Sequence, residues 1–189
     1  PVWGDDELLV GLQGIAQHTE HDQHVLVWDP LLLTGLVLSP NDHTWAKLCD
    51  MLGPVATVLT AIMVDHHWYP LVWRMDAEVV RLFTCGVVPA HVQVFETLAT
   101  TMGSLRGVEG QWCNKLVSFV LSGHCGALVL SFAKHLLWGE SFPSSLVELE
   151  CVAKQLRQEF ASGLSDLCLR PQLAALGLPV VDQLASLLS

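Results

Sequence analysis

Basic residues are scarce in this chain: nine Lys and Arg stand against nineteen Asp and Glu in 189 residues, a formal net charge of −10. Phosphate backbones are gripped by clustered Lys and Arg, so this balance argues against nucleic acid as the main ligand. Cysteine pairing motifs are also missing. The six cysteines (Cys49, Cys85, Cys113, Cys125, Cys151 and Cys168) are widely and irregularly spaced, and no CxxC occurs. Buried free thiols in a reducing, intracellular compartment, nuclear or cytoplasmic, are the expectation. No apolar run is suited to crossing a membrane. Met51 to Val64 is 14 residues long and holds Pro54. Leu116 to Ala133 is uncharged but carries Ser118, Ser122, Gly123, His124, Gly126 and Ser131, which is too polar for a span. Internal repeats and low-complexity tracts are absent as well. The chain opens on Pro1 with no initiator Met, basic leader or cleavage motif, and so reads as a fragment or processed segment.

What the chain does have is apolar surface: 51% of residues are hydrophobic and only 15% charged, so much of it must be buried on two faces or against a partner. Asp5-Asp6-Glu7 suits a helix start, and Leu8, Leu9, Leu12, Ile15 and Ala16 follow at helical spacing. Val25 to Trp28 reads as a short strand stopped by Asp29-Pro30, and Leu31 to Leu38 is uniformly apolar and fits helix or strand. Ala56 to Val64, Trp68 to Arg74 and Val79 to Thr84 read as three sequential strands, the centre of an antiparallel sheet. Pro89 to Met102 looks helical, Met102 to Gln111 a glycine-bearing connection, and Leu116 to Leu121 a fourth strand. A buried helix then runs from Cys125 to Trp138. Ser145-Leu146-Val147-Glu148 fits a capping box, with Leu149, Val152, Leu156 and Phe160 on one helical face behind it. That face is expected to dock on the domain or on a partner, and Pro171 to Ser189 reads as one or two further short helices.

Two short segments carry the chemistry. His67 leads into an apolar strand in His66-His67-Trp68-Tyr69, and Cys125 opens a helix in His124-Cys125-Gly126-Ala127. A thiol at a helix N-terminus feels unpaired backbone N–H groups, which favour the thiolate, and a histidine beside it supplies a base. Each also has a plain structural reading, Cys125 as a small core residue and His67 as a hydrogen-bonded strand end. His18, His21 and His24 with Glu20 and Asp22 have ligand chemistry, but this spacing in a polar loop reads as a solvated run. No metal or cofactor site is assigned.

In this order the elements resemble the cysteine peptidases that process ubiquitin-like modifiers, with the adenoviral protease as a relative. The resemblance covers about Trp3 to Trp138. Trp3-Gly4-Asp5-Asp6-Glu7 takes the slot of the family's opening helix, His67-Trp68 that of its catalytic His, and His124-Cys125-Gly126 that of its Asp-Cys-Gly nucleophile. Two family residues are replaced. The place of the Asp that orients the imidazole falls on Thr84, and that of the Gln that donates to the oxyanion falls on Phe119. Asp76 lies at the wrong end of the hairpin to substitute, Asp65 is constrained by its closeness to His67, and Gln111 is too far upstream.

The resemblance implies an α+β, papain-like cysteine peptidase fold: a central, mainly antiparallel sheet with the buried Cys125 helix packed on it. Residues 1–140 would form that domain and 141–189 a C-terminal helical extension. Cys125 would be the nucleophile, His67 the base and Thr84 a neutral acceptor, acting on a protein or ubiquitin-like tail with weak or no turnover. The alternative is a catalytically silent peptidase-fold module that binds protein, since the set also resembles domains of mobile-element polyproteins. A third reading, a membrane-associated subunit, rests on hydrophobicity alone.

Overall fold

A computed structural model describes residues 4–19, 25–38, 56–117 and 123–164, with Trp45, Lys47 and Asp50. Helix α1 (Asp5–Gln17) starts where the Glu7 carboxylate reaches back to accept from the Gly4 N–H at 2.8 Å. Its Leu8, Leu12 and Ile15 are buried. Strand β1 (Val25–Val27) follows, then helix α2 (Pro30–Leu38). Asp29-Pro30 is therefore a helix start as well as a strand stop. The Asp29 carboxylate accepts from the Leu31 N–H at 2.7 Å, and proline loses no helical bond in the first position.

The sheet has the order β1-β2-β3-β4-β5, with β2 (Ala56–Val64), β3 (His67–Met75), β4 (Val79–Cys85) and β5 (Glu109–Lys115). The middle three strands are antiparallel, as their apolar sequential runs predict, while β1–β2 and β4–β5 pair in parallel. β3 is apolar at nearly every position because it is buried on both faces. Tyr69, Leu71 and Trp73 pack with α2 and with Phe95, Leu98 and Met102 of helix α3 (Val92–Arg106). Trp68 and Val72 pack with α1, helix α4 (Cys125–Trp138) and helix α5 (Leu146–Leu164). Burying each of the three large aromatics contributes up to about 4–6 kcal/mol of transfer free energy.

Pro70 sits inside this central strand, where a missing N–H has to be absorbed. It pairs with Ala61 on the β2 side, whereas the β3–β4 ladder runs only from Val72–Phe83 to Met75–Val80. The end of β4 pairs instead with β5, Thr84 opposite Asn114 and Cys85 opposite Lys115. At the His67 end of β3, β3 and β4 are no longer laddered.

The fourth strand differs from expectation. β5 spans Glu109–Lys115, starting inside the stretch that reads as a connection and ending before Leu116, and α3 runs on to Arg106. Gly103 and Gly110 are packing glycines rather than loop residues. A Cβ on Gly103 would run into the Gly110 backbone, and one on Gly110 into the Ala99 carbonyl. Leu116 is exposed beyond the strand end, and residues 118–122 lie outside the described residues.

α4 ends on Gly139 at φ 70°, and α5 is capped by Ser145 Oγ, which accepts from the Glu148 N–H at 3.2 Å. Leu149, Ala153 and Leu156 of α5 are buried in the core shared with α1 and α4. The stretch Pro171 to Ser189 lies outside the described residues. No described helix is long and apolar enough to cross a membrane.

Candidate active site

Cys125 is the first residue of α4, and its side chain is 8% exposed. Leu128 N–H bonds the His124 carbonyl, and His124 supplies no side-chain cap, so the first-turn N–H groups before Leu128 have no carbonyl of their own helix. Their partial positive charge lies at the thiol. His124 sends Nε2 toward Glu150 of α5 at 3.8 Å, and its Nδ1 is buried without a partner.

His67 is the first residue of β3, exposed at the sheet end. It follows a two-residue turn in which Asp65 has φ 47° and His66 φ 65°, closed by the Val64–His67 pair. Two positive φ values match the strand twist of a tight hairpin, at a cost of about 1–2 kcal/mol for each non-glycine residue. The His67 ring lies near the Tyr69 ring, 6.5 Å between centroids. Among the described residues no hydrogen bond joins its side chain to Cys125, to Thr84 or to a carboxylate.

Thr84 is fully buried, and its hydroxyl is engaged elsewhere. Oγ1 accepts from the Trp112 indole N–H at 2.8 Å and faces Asn114 Oδ1 at 3.4 Å. Both partners stand on β5, the strand that keeps its ladder with β4 to the end. Asp76, at the opposite hairpin, accepts from the Glu78 and Val79 N–H groups and from Arg81. Those backbone bonds, then the Arg81 charge, hold its carboxyl below the usual range. Gln111 donates to Glu109 on the exposed part of β5. Phe119 and Trp3 lie outside the described residues, as do Glu20, His21, Asp22 and His24. Among the described residues no group of three or more His, Cys, Asp and Glu side chains could hold a metal ion.

The sequence reading overlooked a second histidine. His91 closes the 3-10 turn Pro89–His91 ahead of α3, and its side chain is 9% exposed. Its Nδ1 lies 2.8 Å from Tyr69 Oη and its Nε2 3.0 Å from Asp65 Oδ2. A carboxylate only accepts, so Nε2 carries the proton; in the neutral ring Nδ1 then accepts from the tyrosine O–H. Burial raises the Tyr69 pKa; a Val88 backbone hydrogen bond opposes this, and the Asp65 and Cys125 charges add to it. The sequence offered only a histidine just ahead of a helix and, separately, a lone tyrosine in an apolar strand in need of a partner.

The other thiols are unlike Cys125. Cys85 is buried at the end of β4, and burial pushes its pKa well above the ordinary thiol range against the pull of Lys115. Cys113 is half-buried and Cys151 exposed, while Cys49 and Cys168 lie outside the described residues.

No family model matches this sequence, and no curated protein sequence matches it. Solved structures do resemble it. The C-terminal Ulp1 protease domain in complex with Smt3, the yeast ortholog of SUMO, aligns with a TM-score of 0.61 at 10% identity, over 82% of this chain and 74% of that one. SUMO protease Ulp1 with its catalytic cysteine oxidised to a sulfenic acid gives 0.60 at 10% identity, over 82% and 75%. A mutant of Xanthomonas XopD gives 0.51 at 16% identity, over 82% and 99%. At such identities the likeness is one of fold. The chain has an α+β fold of the kind found in SUMO-protease-type cysteine peptidase domains.

Proposed function

We propose that this chain is a divergent cysteine peptidase or isopeptidase-like domain that engages a protein or ubiquitin-like tail, with weak or no turnover. One observation carries the reading. A thiol opens a buried helix at the place expected of a nucleophile in this fold, while the hydroxyl at the orienting position is committed to Trp112 and Asn114. In the working step Cys125 would lose its proton to His67, the thiolate would attack the scissile carbonyl, and the α4 N–H groups would meet the developing negative charge. In unliganded sites such contacts are often long and tighten around substrate. Among the described residues no carboxylate is hydrogen-bonded to His67, however, so the imidazolium would gain little. Loss of an orienting carboxylate costs on the order of 10⁴ in rate where it has been measured in serine proteases. Loss of one oxyanion donor costs about 10²–10³ more.

A ubiquitin-like modifier bearing a C-terminal thiol-reactive group tests the assignment, with the modified residue located by mass spectrometry. Slow, stoichiometric modification of Cys125, slower still in His67→Ala, is the expected result. Modification of Cys151 alone would remove Cys125 from the role of nucleophile. The engaged Thr84 also favours the second reading, a silent module that binds such a tail. Stable binding of the unmodified modifier by a Cys125→Ala chain, with no turnover by the parent, would select it.

A further inference from the structure

We propose that His91 is a positioning residue for His67, bonded on one side to Asp65 and on the other to Tyr69, the positions two before and two after the base. The inference rests on the reading of Cys125 and His67 as nucleophile and base. Strand residues two apart share a face, so His67 and Tyr69 project to one side of β3, and the turn brings Asp65 to that side as well. The donor pattern closes without conflict: Tyr69 O–H to Nδ1, and Nε2–H to the carboxylate.

The clamp also ties together two elements that no strand ladder joins at this end, beside the Val88 backbone hydrogen bond to Tyr69. β4 has left the β3 ladder at Val72, so the start of β3 has only β2 beside it. His91 comes from the segment after β4 and reaches back to that free end. Its ring is held edge-on to Tyr69 at 5.6 Å, and Tyr69 in turn packs edge-on against Phe95 of α3 at 5.3 Å. Tyr69 is the chain's one tyrosine, and Asp65 is the exposed member at 81%. A rigid support of this kind does for the orientation of the turn what a carboxylate would otherwise do for the ring.

Site-resolved alkylation of Cys125 by iodoacetamide at pH 7 tests the clamp. An unassisted thiol is only a few per cent thiolate at this pH, so loss of the base is expected to slow alkylation roughly tenfold. His91→Phe should slow it to the His67→Ala rate and add nothing in a His67→Ala background. His91→Gln offers an amide N–H to Asp65 and a carbonyl to Tyr69, and should keep most of the parent rate. Asp65→Ala, a surface change that leaves the ring buried, should fall between and serves if His91→Phe does not fold. If His67→Ala slows alkylation but folded His91→Phe and Asp65→Ala do not, the clamp is wrong and the base reading stands. If His67→Ala has no effect, the base reading fails. The clamp is then judged by the His67 ring carbon–proton NMR signal, which must shift or broaden in the His91 and Asp65 variants; an unchanged signal overturns it.

Discussion

Cys85 and Tyr69 both bury a proton that the unfolded chain would release more readily. Burial raises the folded pKa of each, so the folded state holds its proton more tightly than the unfolded state. The stabilising contribution is therefore fully present below the unfolded values, about 8.5 for a thiol and 10 for a phenol, and is lost as pH rises through the folded ones. Unfolding free energy measured by denaturant titration should begin to fall above about pH 8.5. Cys85→Ala should remove the first part of that slope, and Tyr69→Phe the part beginning near pH 10. A slope unchanged in Cys85→Ala would mean that another group titrates there. In the native chain the same burial should leave Cys85 unmodified by iodoacetamide while Cys151, exposed on α5, reacts freely.

Elements add two predictions of stability. α3 and β5 approach closely enough that Gly110 lies against the Ala99 carbonyl, backbone to backbone. Gly110→Ala should lower the unfolding free energy by about 2 kcal/mol, as overpacking does. Gly14→Ala, on α1 with open space around the added carbon, should be neutral or slightly stabilising. Comparison of the two denaturation midpoints checks the packing of the helix on the edge strand. At the start of α5, Ser145→Ala removes the acceptor for the Glu148 N–H and should cost about 1 kcal/mol. Glu148 itself accepts from the Ser144 backbone and hydroxyl, which lowers its pKa. A lowered carboxyl stabilises above its unfolded pKa and ceases to do so as pH falls through the folded one. Helicity of α5, followed by amide exchange, should therefore decline on acidification below about pH 4.3, and less so in Glu148→Gln. How legible these elements were depended on where their information lies. The β2–β3–β4 meander is written in local apolar runs, and the α4 start in the apolar stretch behind Gly126. β5 sets Trp112-Cys113 among Glu109, Gly110, Gln111, Asn114 and Lys115, and so resembles a loop until α3 is seen lying on it.

On the scale of the whole molecule, the proposed chemistry depends on the sheet end rather than on any single residue. One proline in the central strand coincides with the end of the β3–β4 ladder, and β4 carries Thr84 to β5 and the Trp112 indole. His67 and Cys125 were readable as candidates because each opens an apolar element. The Asp65–His91–Tyr69 chain was not readable, because its members lie in a turn, a 3-10 turn and a strand and meet only in space. The same holds for Thr84, whose commitment to Trp112 and Asn114 depends on strand order. The proposed function thus joins a retained thiol to a weakened support, and turnover tests that combination most directly. Hydrolysis of a panel of ubiquitin-like modifiers carrying a C-terminal fluorogenic amide should be followed for the parent chain and for Cys125→Ala. Very slow or no release by the parent, close to the Cys125→Ala background, is the expected result; rapid hydrolysis abolished by Cys125→Ala would contradict it.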